Sequence, residues 1–293
     1  MSKATVYFAK DISPKGLMRI YEALGKPLHG KIGVKISTGE MGGHNYLKPE
    51  LIGELVDSLD GTIVECCTAY GGSRQDKGKH WDTIKAHGFL PRFNVDLLDE
   101  FGEMDLPLEG GFHLNRDIVG DHFKNYDTYL VLSHFKGHIM GGFGGALKNM
   151  SIGFASTHGK LNIHSVGTTL DQKETWAKRP VQDHFLESMA DACAAIIRNF
   201  GKENLAYINV ANRLSVDCDC DSNPHEPEMA DIGIFASLDP VALDQACYDA
   251  VKNSSDPGKA ALIERMDSRH AIRTVEASYE LGLGVRDYEI VEL

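Results

Sequence analysis

The chain has 293 residues, 42% of them hydrophobic, and a formal net charge of −12. That length and apolar content suit one large domain or two intimate lobes around a sizeable core. The acidic balance, with no run of five or more Lys or Arg residues, argues against nucleic acid as a partner.

No apolar run approaches the roughly 20 residues of a membrane span. Met1–Asp11 lacks the apolar core of a secretory signal. Six cysteines in a chain this long do not make a disulfide scaffold. The expectation is a cytoplasmic protein in reducing surroundings, without membrane association.

In chain order, short apolar runs alternate with amphipathic segments. Ala4–Phe8 reads as a strand, Lys15–Ala23 as a helix, and Ile32–Ile36 as a strand. Pro49–Leu59 is a helix with proline near its first turn. Thr62–Cys66 is a strand, followed by a helix from about Asp76 to His87 and a short strand at Phe93–Leu97. Thr128–Leu132 is an apolar strand that ends at Ser133. Pro180–Asn199 is a long amphipathic helix, with Phe185, Met189, Ala192, Cys193 and Ile196 on one face. Ala206–Val210 and Ile232–Ala236 are strands; Pro240–Val251, Gly258–Arg265 and His270–Glu280 are helices. Gly167–Arg179 is polar and irregular and reads as a loop. The alternation predicts an α/β fold: a mostly parallel sheet or sheets with helices on both faces, in one domain with possible lobes at 1–165 and 166–293.

In such folds ligands bind where strands hand over to loops at their carboxyl ends. The richest such point is Ser133–Asn149, directly after an apolar strand. Its glycines, Gly144 and Gly145 among them, let backbone N–H groups approach an anion. His134 and His138 offer metal ligation or proton transfer, and Lys136 and Lys148 offer positive charge. The bland alternative is a glycine-rich crossover with surface histidines. Neither G-x-G-x-x-G opening a helix nor G-x-x-x-x-G-K-[ST] is present. His164 lies within the same histidine-dense region.

Asp217-Cys218-Asp219-Cys220-Asp221, with His225 close behind, is the second constellation. Cys218 and Cys220 with flanking carboxylates suit a borderline divalent metal such as Zn, Ni or Fe, provided other ligands come from elsewhere, with His134 and His138 as candidates. The alternative is an acidic loop with two free thiols. A third motif, Lys35-Ile36-Ser37-Thr38-Gly39, offers Lys35, Ser37, Thr38 and Gly39 to a phosphate or carboxylate. Arg74, after the strand Thr62–Cys66, is an anion clamp if it points inward. Asp239-Pro240 reads as a helix cap, with Asp244 one turn further on.

Taken together, the Lys35–Tyr46 loop, His134-Phe135-Lys136-Gly137-His138, Gly144–Asn149, Cys218-Asp219-Cys220 and Ser237–Ala246 resemble the domain of unknown function 362, over almost the whole chain. Many members of that family carry a ferredoxin-type insert with two four-cysteine runs. Here the corresponding interval, Ser165 to His184, holds no cysteine, so no 4Fe–4S clusters of that type are expected. A weaker likeness runs to lactate racemase. Lys148, Gly153, Ala155 and His164 are similar in spacing to its cofactor-lysine stretch, with Ile152 in place of a proline. That likeness implies a cofactor contact at Lys148 and metal ligation or acid–base work at His164.

The leading expectation is a metal- or cofactor-binding enzyme acting on a small anionic substrate. Lys148, Lys136 and His164 would be catalytic, and His134, His138, Cys218 and Cys220 would hold the metal. Two alternatives stand beside it: a non-catalytic metal-binding protein, and a redox subunit working with an external ferredoxin. The metal readings depend on whether the His134–His138 and Cys218–Cys220 loops meet in space.

Overall fold

The computed structural model describes residues 3–293. Twelve strands and ten α-helices alternate along them, with eight strands in one sheet. The N-terminal half supplies β1 (Ala4–Ala9), α1 (Pro14–Ala23), β2 (Ile32–Lys35), α2 (Pro49–Ser58), β3 (Thr62–Glu65), α3 (Lys77–Ala86), β4 (Val95–Leu97), β5 (Glu103–Pro107), β6 (Arg116–Gly120) and β7 (Thr128–His134). Next come β8 (Lys136–His138), β9 (Gly142–Gly144), α4 (Ala146–Phe154), α5 (Thr157–His164), α6 (Gln172–Ala177) and α7 (Gln182–Phe200). The chain closes with β10 (Leu205–Ala211), β11 (Gly233–Ser237), α8 (Pro240–Asn253), α9 (Lys259–Ser268), α10 (Ile272–Glu280) and β12 (Tyr288–Glu292).

The sheet order is β12-β1-β11-β10-β7-β2-β3-β4. Only β11 runs against its neighbours, pairing antiparallel with both β1 and β10; the other pairings are parallel. Strands from both sides of residue 165 share this sheet, because β7 pairs with β10.

Helices cover both faces, as the sequence predicts. Successive residues of a strand point to opposite faces, and β7 shows the consequence. Leu130 and Leu132 pack with Leu17 and Ile20 of α1, Ile52 and Leu55 of α2, and Ile84 of α3. Tyr129 and Val131 pack with Met150 and Phe154 of α4, Cys193 and Ile196 of α7, and Val241 of α8. All seven residues of β7 are buried, which is why the run reads as apolar without a period of two.

Several elements depart from the sequence reading. Gly167–Arg179 is not wholly irregular: Asp171 accepts a hydrogen bond from the Glu174 N–H and caps the short helix α6. The Ser133–His164 stretch is a hairpin, β8–β9, followed by α4 and α5. The β5–β6 hairpin and the largely exposed edge strand β12 carry too few apolar residues to signal themselves. Asp239 caps α8 as expected, accepting from the N–H groups of Val241 and Ala242.

Candidate active-site cleft

From β2 the sheet grows outward through β3 and β4, and the chain then returns to place β7 on the other side of β2. The carboxyl ends of β2 and β7 therefore form a topological switch point, where a crevice opens. Lys35 and Ser37 enter it from β2, Glu65 and Cys66 from β3, Ser133 and His134 from β7, and Lys148 from the first turn of α4. His138, His164 and the Cys218-Asp219-Cys220 loop complete the walls.

The two distant loops do meet. His134 Nδ1 lies 2.8 Å from Asp219 Oδ1, and Lys136 Nζ lies 2.8 Å from Asp219 Oδ2. Burial alone would raise the Asp219 carboxyl, but His134 and Lys136 hold it far below the usual carboxylate range. The other His134 nitrogen, Nε2, sits 2.7 Å from the Asn212 carbonyl oxygen. Both ring nitrogens of His134 are thus occupied, so this histidine braces Asp219 and keeps no nitrogen for a metal, contrary to the expectation from sequence. Lys136 likewise spends its ammonium on Asp219 and on the His134 carbonyl oxygen, 2.8 Å away.

His138 and His164 differ in which nitrogen they leave over. His138 Nδ1 accepts N–H bonds from Gly141 at 2.8 Å and Met140 at 3.3 Å, so a neutral ring carries its proton on Nε2. His164 Nδ1 lies 2.6 Å from the Lys160 carbonyl oxygen, which only accepts, so its Nε2 keeps a free lone pair. Both rings are neutral near pH 7. Burial, reinforced by Lys148, drives His138 well below its ordinary value, and burial pushes His164 down to about 4. The cleft therefore presents one imidazole N–H and one imidazole lone pair.

Lys148 lines the same cleft, near enough to both rings to disfavour their charged forms. Desolvation, with Lys136 adding repulsion, lowers its ammonium to about 7. Among the described residues its Nζ has no hydrogen-bond partner. Lys35 is lowered to about 8, also chiefly by burial; its Nζ donates to the Ile36 carbonyl oxygen and to Asn149 Oδ1 at 3.3 Å.

Other candidates from the sequence have structural employment. Thr38 is wholly buried and donates its hydroxyl to Glu65. Gly39, at φ +82°, leaves room for the Tyr46 ring, which an added Cβ would strike at 2.6 Å. Neither lines the cleft. Arg74 points inward, but Glu65 at 2.8 Å and Glu40 at 3.6 Å already hold its guanidinium. Ser37 accepts a 3.3 Å bond from Arg74 Nη1 and lines the cleft.

Gly144 and Gly145 line the cleft too, but the N–H groups that follow them, on Ala146 and Leu147, are taken by Asp244 at 2.8 and 2.9 Å. The N-terminus of α4 is thus filled from within by a carboxylate. Gly71 N–H similarly goes to the Gln75 side chain and Gly43 N–H to the Glu40 carbonyl oxygen, so those loops are not open cradles.

Sequence reasoning missed Glu65, Lys160 and Asn149. Glu65 is the junction that binds Arg74, His80 and Thr38 at once. A carboxylate closing an apolar strand was its one signal.

The metal question has a geometric answer. Candidate ligand atoms of His138, Cys218 and Cys220 lie within 4.8 Å of one another. The two sulfurs, however, are joined as a disulfide, and His138 Nδ1 is filled by backbone N–H groups. Thiolate ligation needs free sulfur. In this state the three residues do not fit a metal ion.

An eight-stranded, mostly parallel sheet with a cation-lined crevice at its switch point defines an α/β protein whose candidate site is that crevice. The chain belongs to the domain of unknown function 362 family, whose model matches residues 32–249. None of the curated proteins compared with it matches. Among solved structures it is similar to the lactate racemase apoprotein from Thermoanaerobacterium thermosaccharolyticum, at 14% identity and a TM-score of 0.49, over 86% of this chain and 58% of that one. A protein from Thermotoga maritima is similar at 13% identity and a TM-score of 0.46, over 82% of this chain and 58% of that one. The chain thus spans less than two thirds of either protein. Among the described residues no helix is long and apolar enough to cross a membrane.

Proposed function

We propose that the protein is an enzyme that binds a small anionic substrate in the switch-point cleft and transfers protons on it. The observation that carries this reading is the Lys148 ammonium, which has no partner among the described residues and sits beside two neutral histidines of opposite hydrogen-bonding character. Five cations line the cleft (Lys35, Arg74, Lys136, Lys148, Lys160) against two carboxylates, Glu65 and Asp219. Arg74 and Lys136 are neutralised by those carboxylates, and the remaining charge is left for a ligand.

In this reading Lys148 anchors the anion, with Lys35 adding to the field. His164, through its free Nε2, accepts a proton from the bound molecule, and His138 donates a hydrogen bond from its Nε2–H to the negative charge that develops, keeping its own proton. A neutral imidazole near pH 7 already has the lone pair that a base needs, and a neutral ring with its proton on Nε2 holds developing negative charge by hydrogen bonding without giving the proton up. A carboxylate or phosphate of a few carbons is the substrate class.

A metal-dependent form of the same enzyme has one specific observation in its favour, the convergence of His138, Cys218 and Cys220. Reduction frees the two sulfurs for it, and His138 would have to turn its Nδ1 away from the Gly141 and Met140 N–H groups to join them.

The test is calorimetric titration of phosphate and a panel of small carboxylates into wild type and Lys148→Met. Proton exchange from deuterated solvent into any ligand that binds is then followed by NMR, with His164→Gln as the comparison. Expected are a binding loss of about tenfold or more in Lys148→Met and loss of exchange with retained binding in His164→Gln. Absence of binding by every anion, or binding indifferent to Lys148, rejects the reading.

A further inference from the structure

Cys218 and Cys220 stand apart from the other four cysteines. Cys66, Cys67, Cys193 and Cys247 are buried free thiols, and burial raises all four, Cys67 to about 12. Cys218 and Cys220 are bonded to each other in the wall that separates the inner cleft from a shallow outer groove, and both cavities reach them. The outer groove is bounded by Tyr70, Gly71, Ile139 and Ser222, so the pair is approachable without entry into the cleft.

The two sulfurs are not equivalent. Cys220 is partly exposed, whereas Cys218 is 4% exposed. The Cys220 backbone N–H points at Cys218 Sγ, 3.2 Å away. A sulfur that leaves as thiolate is stabilised by such a donor. The residue between them, Asp219, is clamped by His134 and Lys136, so the loop stays anchored when the sulfur–sulfur bond opens.

We infer that Cys218–Cys220 is a thiol–disulfide exchange centre whose reductant is a small thiol or dithiol, with Cys220 the attacked sulfur and Cys218 the leaving one. The incoming thiolate bonds to Cys220 Sγ, the Cys218–Cys220 bond breaks, and its electron pair leaves on Cys218. A second thiolate then attacks the sulfur of the first, releasing it as a disulfide and leaving Cys220 as thiolate; both cysteines take up protons. One protein disulfide and two thiols become one protein dithiol and one small disulfide. This inference is independent of the proton-transfer reading, since neither step uses Lys148 or His164.

The test treats the folded, oxidised wild-type protein with excess reduced glutathione, stops the reaction with acid and maps thiols by peptide mass spectrometry. Reduction of this pair alone is expected, with the transient glutathione adduct on Cys220. In the single variants, oxidised glutathione should modify the thiol of Cys218→Ser at least about tenfold faster than that of Cys220→Ser, following access. If a variant does not fold, the wild-type map decides alone. A pair that resists reduction until denaturant is added, or adducts found mainly on Cys218 or on the four buried cysteines, overturns the inference.

Discussion

His134 Nδ1 lies 2.8 Å from Asp219 Oδ1, although 85 residues separate them along the chain. This contact, with Lys136 on the other carboxylate oxygen, joins the end of β7 to the cysteine loop and gives the cleft its far wall. Removing the charge at Asp219 leaves Lys136 buried without its counter-charge. Asp219→Asn should cost about 3 kcal/mol of stability by urea unfolding at neutral pH. Because the folded-state carboxyl is depressed, its stabilisation is present above the ordinary unfolded value and is lost as pH falls through the folded one. The gap between wild type and variant should therefore close only in strongly acidic solution. A gap that closes at neutral pH, or none at all, contradicts the clamp.

Lys148 should be the most reactive accessible amine. With its ammonium lowered to about 7, most of it is free base at pH 8, where an ordinary lysine is almost wholly charged. Reductive methylation at pH 8 should label Lys148 at least about tenfold faster than surface lysines, and a saturating small anion should protect it. For the same reason anion affinity should weaken as pH rises through about 7, where the cation is lost. Labelling of Lys148 at the surface rate would remove the basis for this assignment.

Asp117 lies wholly buried on β6, with one carboxylate oxygen lacking a partner, and desolvation raises it to about 7. A raised acid binds its proton more tightly in the folded state, so stability falls as pH climbs from the ordinary carboxyl value of 3.8 towards about 7. Asp117→Asn should remove this slope, which amounts to at most about 4 kcal/mol. Urea midpoints from pH 4 to pH 8 measure it; parallel curves for the two proteins would place the titration elsewhere.

Metal binding should depend on the state of the cysteine pair. Elemental analysis of untagged protein with the disulfide closed should find less than about a tenth of an equivalent of metal. After reduction and removal of the reductant, zinc should be retained by wild type and lost in the Cys218→Ser/Cys220→Ser double variant. Full zinc occupancy in the oxidised protein would mean that ligands other than these sulfurs hold it.

Trp176 offers a direct view of the cleft. Its ring lies 5.1 Å from that of His164, and its Nε1–H bonds to the Ala69 carbonyl oxygen at 2.8 Å. In Trp81→Phe, where Trp176 is the remaining tryptophan, emission should be quenched as pH falls through about 4 and His164 gains its proton. Replacing His164 with Gln should abolish that transition; an unchanged transition would assign it to another group.

The sequence by itself determined the alternation of apolar and amphipathic runs, and with it an α/β sheet covered on both faces. That information is local: a buried strand such as β7 must be apolar throughout, and a helix such as α7 must carry its apolar residues at helical spacing. It also marked the loops that form the cleft, because Lys35, His138, Lys148, His164 and Cys218 all lie within or beside such loops. What each residue does there was decided by tertiary contacts alone. Asp244 reaches from α8 to fill the α4 N-terminus that the glycines, read from sequence, leave open. His134 spends both nitrogens as a brace, whereas His138 and His164 keep one each. A side chain's free valence, and the desolvation that sets its charge, depend on which distant groups the fold brings within 3 Å or so, and spacing along the chain carries no record of them.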